Sequence, residues 1–539
     1  MKNFFNYTSQ FLRKYKSAFL KSLAYVLLLT GLQVLLPVSL RWFIREVEAK
    51  QTFSYLALGI FAYACYLLMS NLADVGWAMS LNRLGGRIIQ GIREDLFRTI
   101  SKADYEDLLN IGKDKLKNIL FMDTLNVFSS VAHLSIKIIS NIILLIVFLI
   151  VSSYLNLKLT MILFIASVIG FLISFFSRKA ITSSSRQVNA EMKADNQMLN
   201  EYIDSLELIK TNNLEEYFSQ KNKTSLWRFI NTSIRVDKKQ IFLKNLIAHF
   251  HKLVSIGLVA YLSMTTSGDS AGNLVFYLFV SDMVLTNSQE IESSIYSLLK
   301  MLPSFENINM ILNLKQHRGN TKIDSIQTIE FHNVNFSYAA NSGKMVIKNF
   351  ASSFKPGDIL RISGNNGGGK STFVKLMVGL LYPQSGQILL NGIPLNEIDV
   401  DCLKQQIVYI DQDEVILNDT IKNYIEAMVK QPISGPELEE LMELVHFDNR
   451  ITEVSQNGHS LSGGQRKKLL MMKLLLRYKL ASVIILDEIE AGLDAETKDI
   501  ILRLEQEILS KQKDCIIFKI SHETNKTDFY TNTIELNVI

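Results

Sequence analysis

The stretch Gly364-Asn-Asn-Gly-Gly-Gly-Lys370-Ser371-Thr372 decides the fold of the second half of this chain. It follows an apolar run, Ile359–Ile362, typical of a buried strand, and precedes Phe373–Leu381, which is typical of a helix. In this context the glycines let backbone N–H groups turn onto a phosphate, and the helix N-terminus adds its dipole. Lys370 would neutralise phosphate oxygens, and Ser371 would offer its hydroxyl to Mg²⁺. The stretch therefore predicts a phosphate-binding loop in an α/β domain.

A second acidic element belongs to the same predicted site. The run Val483-Ile-Ile-Leu-Asp487-Glu488 is an apolar strand that ends in two carboxylates. A buried strand of this kind delivers a carboxylate to a metal ion, so we expect Asp487 to hold Mg²⁺ through water. Glu488 would polarise the attacking water as general base.

Six hydrophobic segments precede residue 300, and they predict a helical membrane domain. The loops joining segments one to two, three to four and five to six are short, whereas the other two connections are long, charged and predicted to be helical. Lys and Arg are concentrated in the N-terminus and the long connections, which places these parts in the cytoplasm. The predicted segments are Leu23–Ile44, Phe53–Ala73, Ile138–Ser153, Leu157–Phe176, Leu243–Met264 and Asn273–Thr286.

The remaining organisation follows from changes in composition. We predict a transmembrane domain over residues 1–314, a polar linker over 315–325, and an α/β domain with a small helical subdomain over 326–539. Hydrophobic residues make up 48% of the 539 residues and charged residues only 20%, as expected when part of the surface faces lipid. A net charge of +5 does not indicate a nucleic-acid partner. The three cysteines have no metal or disulfide spacing, and we predict that they are buried.

The stretch Leu461-Ser-Gly-Gly-Gln465, between the two nucleotide motifs, resembles the signature of the ABC ATPase family. The resemblance implies ATP and Mg²⁺ as cofactors, an adenine-stacking role for Tyr338, and a Q-loop role for Gln412, which would touch Mg²⁺. It also implies that His522 acts near the γ-phosphate and that Ala491–Asp494 form the D-loop. The implied nucleotide-binding residues are Tyr338, Gly364, Asn365, Asn366, Gly367, Gly368, Gly369, Lys370, Ser371, Thr372, Gln412, Ser462, Gly463, Gly464 and Gln465.

The membrane half is similar to ABC exporters, in which each long cytoplasmic extension ends in a coupling helix. On this resemblance we expect coupling helices at Ala103–Asn110 and Asn212–Tyr217. The chain departs from the family in its D-loop, with Ala-Gly for Ser-Ala, and in Met472-Lys473-Leu474, which replaces Ala-Arg-Ala. The compact build resembles the exporters of cyclic and siderophore peptides.

Four polar side chains of the sixth membrane segment, together with Ser293, fall on one face at helical spacing and predict a substrate cavity. The alternative for the acids is cytoplasmic solvent or pairing with a base such as Lys137, His249 or Lys252. The four cavity residues are Asp282, Thr286, Gln289 and Glu290.

Taken together, the motifs predict an integral membrane protein of a bacterial inner or cell membrane, with its ATPase domain in the cytoplasm. It would export a peptide or an amphipathic metabolite as a homodimer, in contact with membrane lipid. Three alternatives remain open: a heterodimer, a lipid flippase or multidrug exporter, and a regulatory ABC protein that does not transport. The presence of both Glu488 and His522 argues against the last.

Overall fold

The structure is a computed structural model that describes residues 14–50, 53–128, 135–265, 271–316, 319–338, 345–365, 367–412, 414–455, 458, 460–490, 493, 495–511, 514–521 and 530–536. The chain folds into two compact units. The first comprises Met1–Thr99 with Asp114–Asn313, and the second comprises Ile100–Lys113 with Leu314–Ile539. The predicted division differs from this one in two respects, since Ile100–Lys113 and the predicted linker over 315–325 both group with the second unit.

Helices account for the regular structure before residue 313 in the described part of the chain. They are α1 (Lys16–Lys50), α2 (Phe53–Ile100), α3 (Tyr105–Ile111), α4 (Lys113–Asn118), α5 (Thr124–Phe128), α6 (Ser135–Leu155), α7 (Leu157–Asp204), α8 (Leu206–Asn212), α9 (Glu215–Thr265), α10 (Ala271–Lys300) and α11 (Leu302–Leu312). A π-helical turn, Ile119–Asp123, joins α4 to α5.

Each of the six predicted hydrophobic segments lies within one of the long helices α1, α2, α6, α7, α9 and α10. Within the described residues, three helical stretches are long and apolar enough to cross a membrane, namely Lys16–Val47, Phe53–Ile100 and Ile136–Tyr154. Leu157–Ile173 is a shorter apolar stretch. The predicted fifth and sixth segments carry polar positions such as Lys252 and Asp282, which lower their mean hydropathy.

The long connections are helical, as predicted, because α2, α7 and α9 continue well beyond their apolar parts. The turn between α6 and α7 is short because Asn156 caps the second helix. Its side-chain oxygen accepts hydrogen bonds from the amides of Lys158 (3.0 Å) and Leu159 (3.3 Å). An apolar cluster that includes Phe148, Leu163 and Phe276 packs α6, α7 and α10 together.

The second unit is built on two sheets. The strands are β1 (Ile329–Phe336), β2 (Ile347–Phe354), β3 (Ile359–Ser363), β4 (Ser385–Leu390), β5 (Ile393–Pro394), β6 (Ile407–Ile410), β7 (Val483–Asp487), β8 (Ile516–Ile520) and β9 (Asn532–Glu535). A parallel sheet has the order β6-β7-β8-β3-β9, and an antiparallel sheet has the order β2-β1-β4-β5. Every residue of β7 and β8 is buried, as expected for central strands covered on both faces.

The helices of the second unit after residue 369 are α12 (Lys370–Met377), α13 (Val400–Gln406), α14 (Ile421–Val429), α15 (Gly435–Leu444), α16 (Gly463–Arg477) and α17 (Ala495–Lys511). Helices α14, α15 and α16 share an apolar cluster with Tyr424, Leu441 and Leu469 among its buried members. They form the small helical subdomain that the sequence predicts. The parallel strands end together at one edge of the sheet, and their carboxyl ends carry the candidate site.

Candidate nucleotide site

The predicted phosphate-binding loop lies between β3 and α12, and its glycines are required by close backbone approach. A Cβ atom at Gly364 would lie 2.1 Å from the carbonyl oxygen of Leu536, so a larger residue does not fit there. Gly369 has φ +90° and directly precedes α12, a conformation that favours glycine. The loop therefore leads directly into the N-terminus of α12, where a helix dipole favours an anion.

Lys370, Ser371 and Thr372 are the first residues of helix α12, which begins three residues before the predicted start at Phe373 and ends at Met377, before the predicted end at Leu381. The ammonium of Lys370 donates to the carbonyl oxygen of Gly364 at 2.9 Å, which holds the side chain over the loop. The Tyr338 hydroxyl lies 3.1 Å from that of Thr372, so the predicted adenine-stacking residue sits beside the loop. A cavity of about 320 Å³ borders the loop and is lined by Lys370, Gly364 and Ser521, among other residues.

Asp487 is buried at the carboxyl end of β7, with 5% of its surface exposed. Burial raises the pKa of this carboxyl to about 6, and the nearby charges of Asp411 and Glu488 add to the shift. The hydroxyl of Tyr409 donates to Asp487 at 3.4 Å. Such a carboxyl gains from a neighbouring cation, because a cation offsets the cost of holding its charge in a buried place.

Glu488 and Gln412 are brought together, although 76 residues separate them along the chain. The side-chain amide of Gln412 donates to the Glu488 carboxylate at 2.9 Å. Glu488 has φ +45°, and its backbone N–H donates to the carbonyl of Ile520 at 3.0 Å. A left-handed conformation is unfavourable for a residue with a Cβ, so the surrounding bonds must hold it in place.

Two lysine side chains of helix α16 donate hydrogen bonds to the segment around Gln412. Neither lysine was predicted to belong to the site. Lys467 donates to the Gln412 carbonyl at 2.9 Å, and Lys473 donates to the Tyr409 carbonyl at 3.1 Å. Lys473 also forms a largely buried ion pair with Glu414 at 2.6 Å. The sequence feature that could have indicated these contacts is Met472-Lys473-Leu474, which replaces the Ala-Arg-Ala of the family and places Lys473 against the Q-loop segment.

The signature residues begin helix α16 and form a capping box. The Ser462 hydroxyl accepts from the Gln465 amide at 3.2 Å, and the Gln465 side chain accepts from the Ser462 amide at 2.8 Å. Ser462 and Gly463 are exposed. In the described part of the chain, no hydrogen bond or ion pair joins Ser462–Gln465 to Gly364–Thr372. His522, Asn366 and most of the D-loop lie outside the described residues.

The tip of the first extension belongs to the second unit. The Asp104 amide donates to the Lys315 carbonyl at 3.2 Å, and Tyr105 packs against the apolar core of that unit. The ammonium of Lys375 lies 6.0 Å from the centre of the Tyr105 ring. A helix, α3 (Tyr105–Ile111), thus lies where the coupling helix is predicted at Ala103–Asn110, and its coupling role stays a prediction.

The second predicted coupling helix was wrong in its extent. Helix α8 ends at Asn212, Asn213 takes a left-handed conformation with φ 53°, and α9 begins at Glu215. Asn213 ends the helix because asparagine tolerates this conformation better than most residues do. The segment Asn212–Tyr217 therefore spans the last residue of α8, a turn at Asn213 and Leu214, and the first residues of α9.

The predicted cavity residues divide into two groups on α10. Asp282 and Thr286 are exposed in this chain, as is Ser293, whereas Gln289 and Glu290 are half-buried. Glu290 forms an ion pair with Lys137 at 2.5 Å, the pairing that the sequence analysis kept as an alternative. Lys137 thus balances the charge of Glu290. Of the two predicted cavity acids, Asp282 is the exposed one.

Two family models match successive parts of the chain. "ABC transporter transmembrane region" matches residues 18–288, just over half of the chain, and "ABC transporter" matches residues 347–491. The fold is similar to "Structure of a bacterial Atm1-family ABC exporter with ATP bound", with a TM-score of 0.84, 18% identity, and coverage of 98% of this chain and 94% of that chain.

Curated relatives are more similar in sequence than this structure but align over a smaller part of the chain. The "Subtilin transport ATP-binding protein SpaT" of Bacillus subtilis is 29% identical over 54% of this chain and 50% of its own length. The "ATP-dependent lipid A-core flippase" of Alcanivorax borkumensis is 24% identical over 84% of this chain and 79% of its own length. The chain aligns with only 37% to 50% of the length of several curated relatives, SpaT among them. The transmembrane match over half of the chain, followed by the nucleotide-binding match, shows that this chain belongs to the ABC transporter family.

Proposed function

We propose that this chain is one half of an ATP-driven exporter, in which hydrolysis in the second unit powers alternating access in the first. One observation carries the proposal. The phosphate loop, Asp487 and the hydrogen-bonded pair Gln412–Glu488 follow strands that end at the same edge of the parallel sheet, in a chain that also has a helical membrane unit. The pair argues against a regulatory protein that only binds ATP, because the proposed general base is present and oriented.

The residues at the sheet edge fit ATP with Mg²⁺. Ser371, Gln412 and Asp487 offer hydroxyl, amide and carboxylate oxygens, the ligand types that Mg²⁺ prefers. Bound Mg²⁺ would neutralise charge on the phosphates, Lys370 would contact their oxygens, and Glu488 would take a proton from water. His522 is proposed to act near the γ-phosphate.

The functional unit is proposed to be a homodimer, with a heterodimer as the alternative. Ser462 and Gly463 are exposed and held rigidly by the capping box, so a second copy can reach them. Each signature would close over ATP on the phosphate loop of the other copy. Both sites would be competent, since this chain carries Lys370, Asp487 and Glu488.

The substrate is proposed to be a peptide or an amphipathic metabolite, exported across a bacterial cell membrane. Asp282, Thr286 and Ser293 form an exposed polar stripe on α10. An acid at membrane depth is costly against lipid and usually faces water or a partner. The stripe would therefore line a cavity between two copies. Lipid flipping is the second candidate, because the lipid A-core flippase aligns along most of this chain.

The test is ATP hydrolysis by the full chain in lipid nanodiscs, against a panel of peptides, amphipathic metabolites, drugs and lipids. We expect Mg²⁺-dependent hydrolysis that a peptide or amphipathic compound stimulates, and no hydrolysis by the Lys370→Ala control. Stimulation by lipid alone would favour the flippase. ATP binding without any hydrolysis would refute the exporter proposal.

A further inference from the structure

Three charged side chains are buried together behind the candidate site. The Lys519 ammonium lies 2.7 Å from a Glu490 oxygen and 2.9 Å from a Glu505 oxygen. These side chains are 4%, 8% and 3% exposed, respectively. Burial lowers the pKa of Lys519, but Glu505 and Glu490 raise it above its ordinary value, so the ammonium is charged.

A buried ion cluster at this place is unexpected from packing alone. Lys519 lies on β8, where alternation places it on the same face as Ile517, which belongs to an apolar cluster with residues of α17. Replacing a buried ion pair by apolar side chains of similar volume often leaves the stability of a protein unchanged or raises it, because charges are costly to remove from water. The cluster therefore invites an explanation other than stability.

The three members come from three segments, and two of those segments flank Glu488. Glu490 follows Glu488 by two residues, and Lys519 directly precedes Ile520, whose carbonyl accepts the Glu488 N–H at 3.0 Å. Glu505 lies on α17, away from this turn in sequence. The Lys519–Glu490 pair thus closes a second link between the strand β8 and the chain around Glu488.

Glu488 needs such links because of its backbone. Its φ of +45° is strained for a residue with a side chain and persists only where several contacts define it. In this conformation the carboxylate meets the amide of Gln412 at 2.9 Å. Releasing Glu490 would remove one of the contacts that keep the turn, and hence the carboxylate, in place.

We propose that Lys519 is a positioning residue, which holds Glu488 in its left-handed conformation through the ion pair with Glu490. Glu505 anchors the ammonium from the opposite side and contributes to stability without orienting Glu488. This inference rests on the proposed ATPase function, since the oriented carboxylate is the proposed general base.

The experiment compares Lys519→Met, Lys519→Arg, Glu490→Gln and Glu505→Gln in the full chain in lipid nanodiscs. For each variant, kcat, the KM for ATP and the melting temperature are measured. We expect Lys519→Met to lower kcat on the order of tenfold or more with little change in KM, because slight misplacement of a catalytic group costs up to about a hundredfold. Lys519→Arg should restore most of the rate.

The two glutamate variants form a matched pair, because each removes one charge from the same ammonium. Glu490→Gln should lower kcat, whereas Glu505→Gln should lower only the melting temperature. Equal effects of the two on kcat would overturn the proposal, as would a wild-type kcat in Glu490→Gln. This comparison stands even if Lys519→Met does not fold. Absence of ATPase activity in the unmodified chain would instead refute the proposed function, which separates the two failures.

Discussion

Glu488 is the residue on which the proposed chemistry most depends. Glu488→Gln keeps the size of the side chain and its contact with Gln412 but removes the base. We expect hydrolysis to fall by about 10²–10⁴-fold while ATP binding persists, because that is the usual contribution of a general base. Hydrolysis and nucleotide binding by the purified variant provide the measurement, and Glu439→Gln, an exposed site on α15, is the matched control. Turnover near that of the control would show that Glu488 is not the base.

At the scale of residues, the sequence allowed prediction wherever the chemistry is local. The phosphate loop could be predicted because strand, glycines, lysine and helix are contiguous, and the close approach at Gly364 gives the physical reason for that glycine. The Lys519–Glu490–Glu505 cluster could not be predicted, since its members meet only when β8, α17 and the turn after β7 are packed. The prediction that the cysteines are buried is right for Cys515 and wrong for Cys65, which is exposed on α2.

At the scale of elements, α3 packs within the second unit through Tyr105, which contacts the core of that unit near Lys375. We expect Tyr105→Ala to lower the ratio of transport to hydrolysis about fivefold or more. A change of about fivefold lies at the lower end of the range that is typical for coupling between two sites. The alanine loses the ring contacts without touching the phosphate loop. Transport and ATPase rates in the same proteoliposomes provide the ratio, and Tyr105→Phe is the conservative control. Equal loss of both rates would point to misfolding or to a direct catalytic role.

Helix α10 carries the second prediction at this scale. Asp282→Asn should change substrate-stimulated hydrolysis while basal hydrolysis and ATP affinity stay near wild type, because the exposed stripe is proposed to face the substrate. Asp237→Asn, on an exposed and charged part of α9, is the control of the same chemistry. If stimulation and transport are unchanged in Asp282→Asn, then Asp282 lies outside the pathway and the case for a polar substrate loses its main support.

The extents of helices were harder to predict than their presence. Apolar runs located the six long helices, but their charged continuations have no sharp end in the sequence. The turn at Asn213 interrupts a stretch that otherwise suits a helix, since a single left-handed residue is enough to end one. Lysine side chains of α16 contact Gln412 and Glu414, which lie in another segment of the chain. Helical periodicity does not predict such contacts.

At the scale of the whole molecule, the order of the two units could be predicted because composition changes from apolar to mixed near residue 314. The membership of Ile100–Lys113 in the second unit could not. It depends on the Asp104–Lys315 bond and on the Tyr105 contacts, which join segments far apart in the chain. Substrate preference would likewise depend on residues from several helices, so the polar residues predicted on one helix do not specify it.

The last prediction concerns the assembly. The signature residue Ser462 is exposed. In the proposed homodimer, the signature of one chain would close over the phosphate loop of the other. The test uses the hydrolysis-deficient Glu488→Gln protein with Cys65, Cys402 and Cys515 replaced by serine. Cysteines are then placed at Ser462 and Asn365. We expect a disulfide between two chains when ATP is added. Both positions are exposed. Ser462→Cys replaces the hydroxyl that caps helix α16 by a thiol, a weaker acceptor, so the melting temperature of this variant is compared with that of its parent.

The control places one cysteine at Ser462 and the other at Glu439, which is exposed on α15 and outside the proposed contact. Non-reducing electrophoresis distinguishes linked pairs from single chains. Mixing chains that each carry one of the two cysteines gives the sharper test, because only a composite site can then form the bond. Cross-links confined within single chains, or independent of ATP, would contradict the homodimer. Cross-linking that appears only after a different ABC chain is supplied would favour the heterodimer, with the same composite chemistry at its interface.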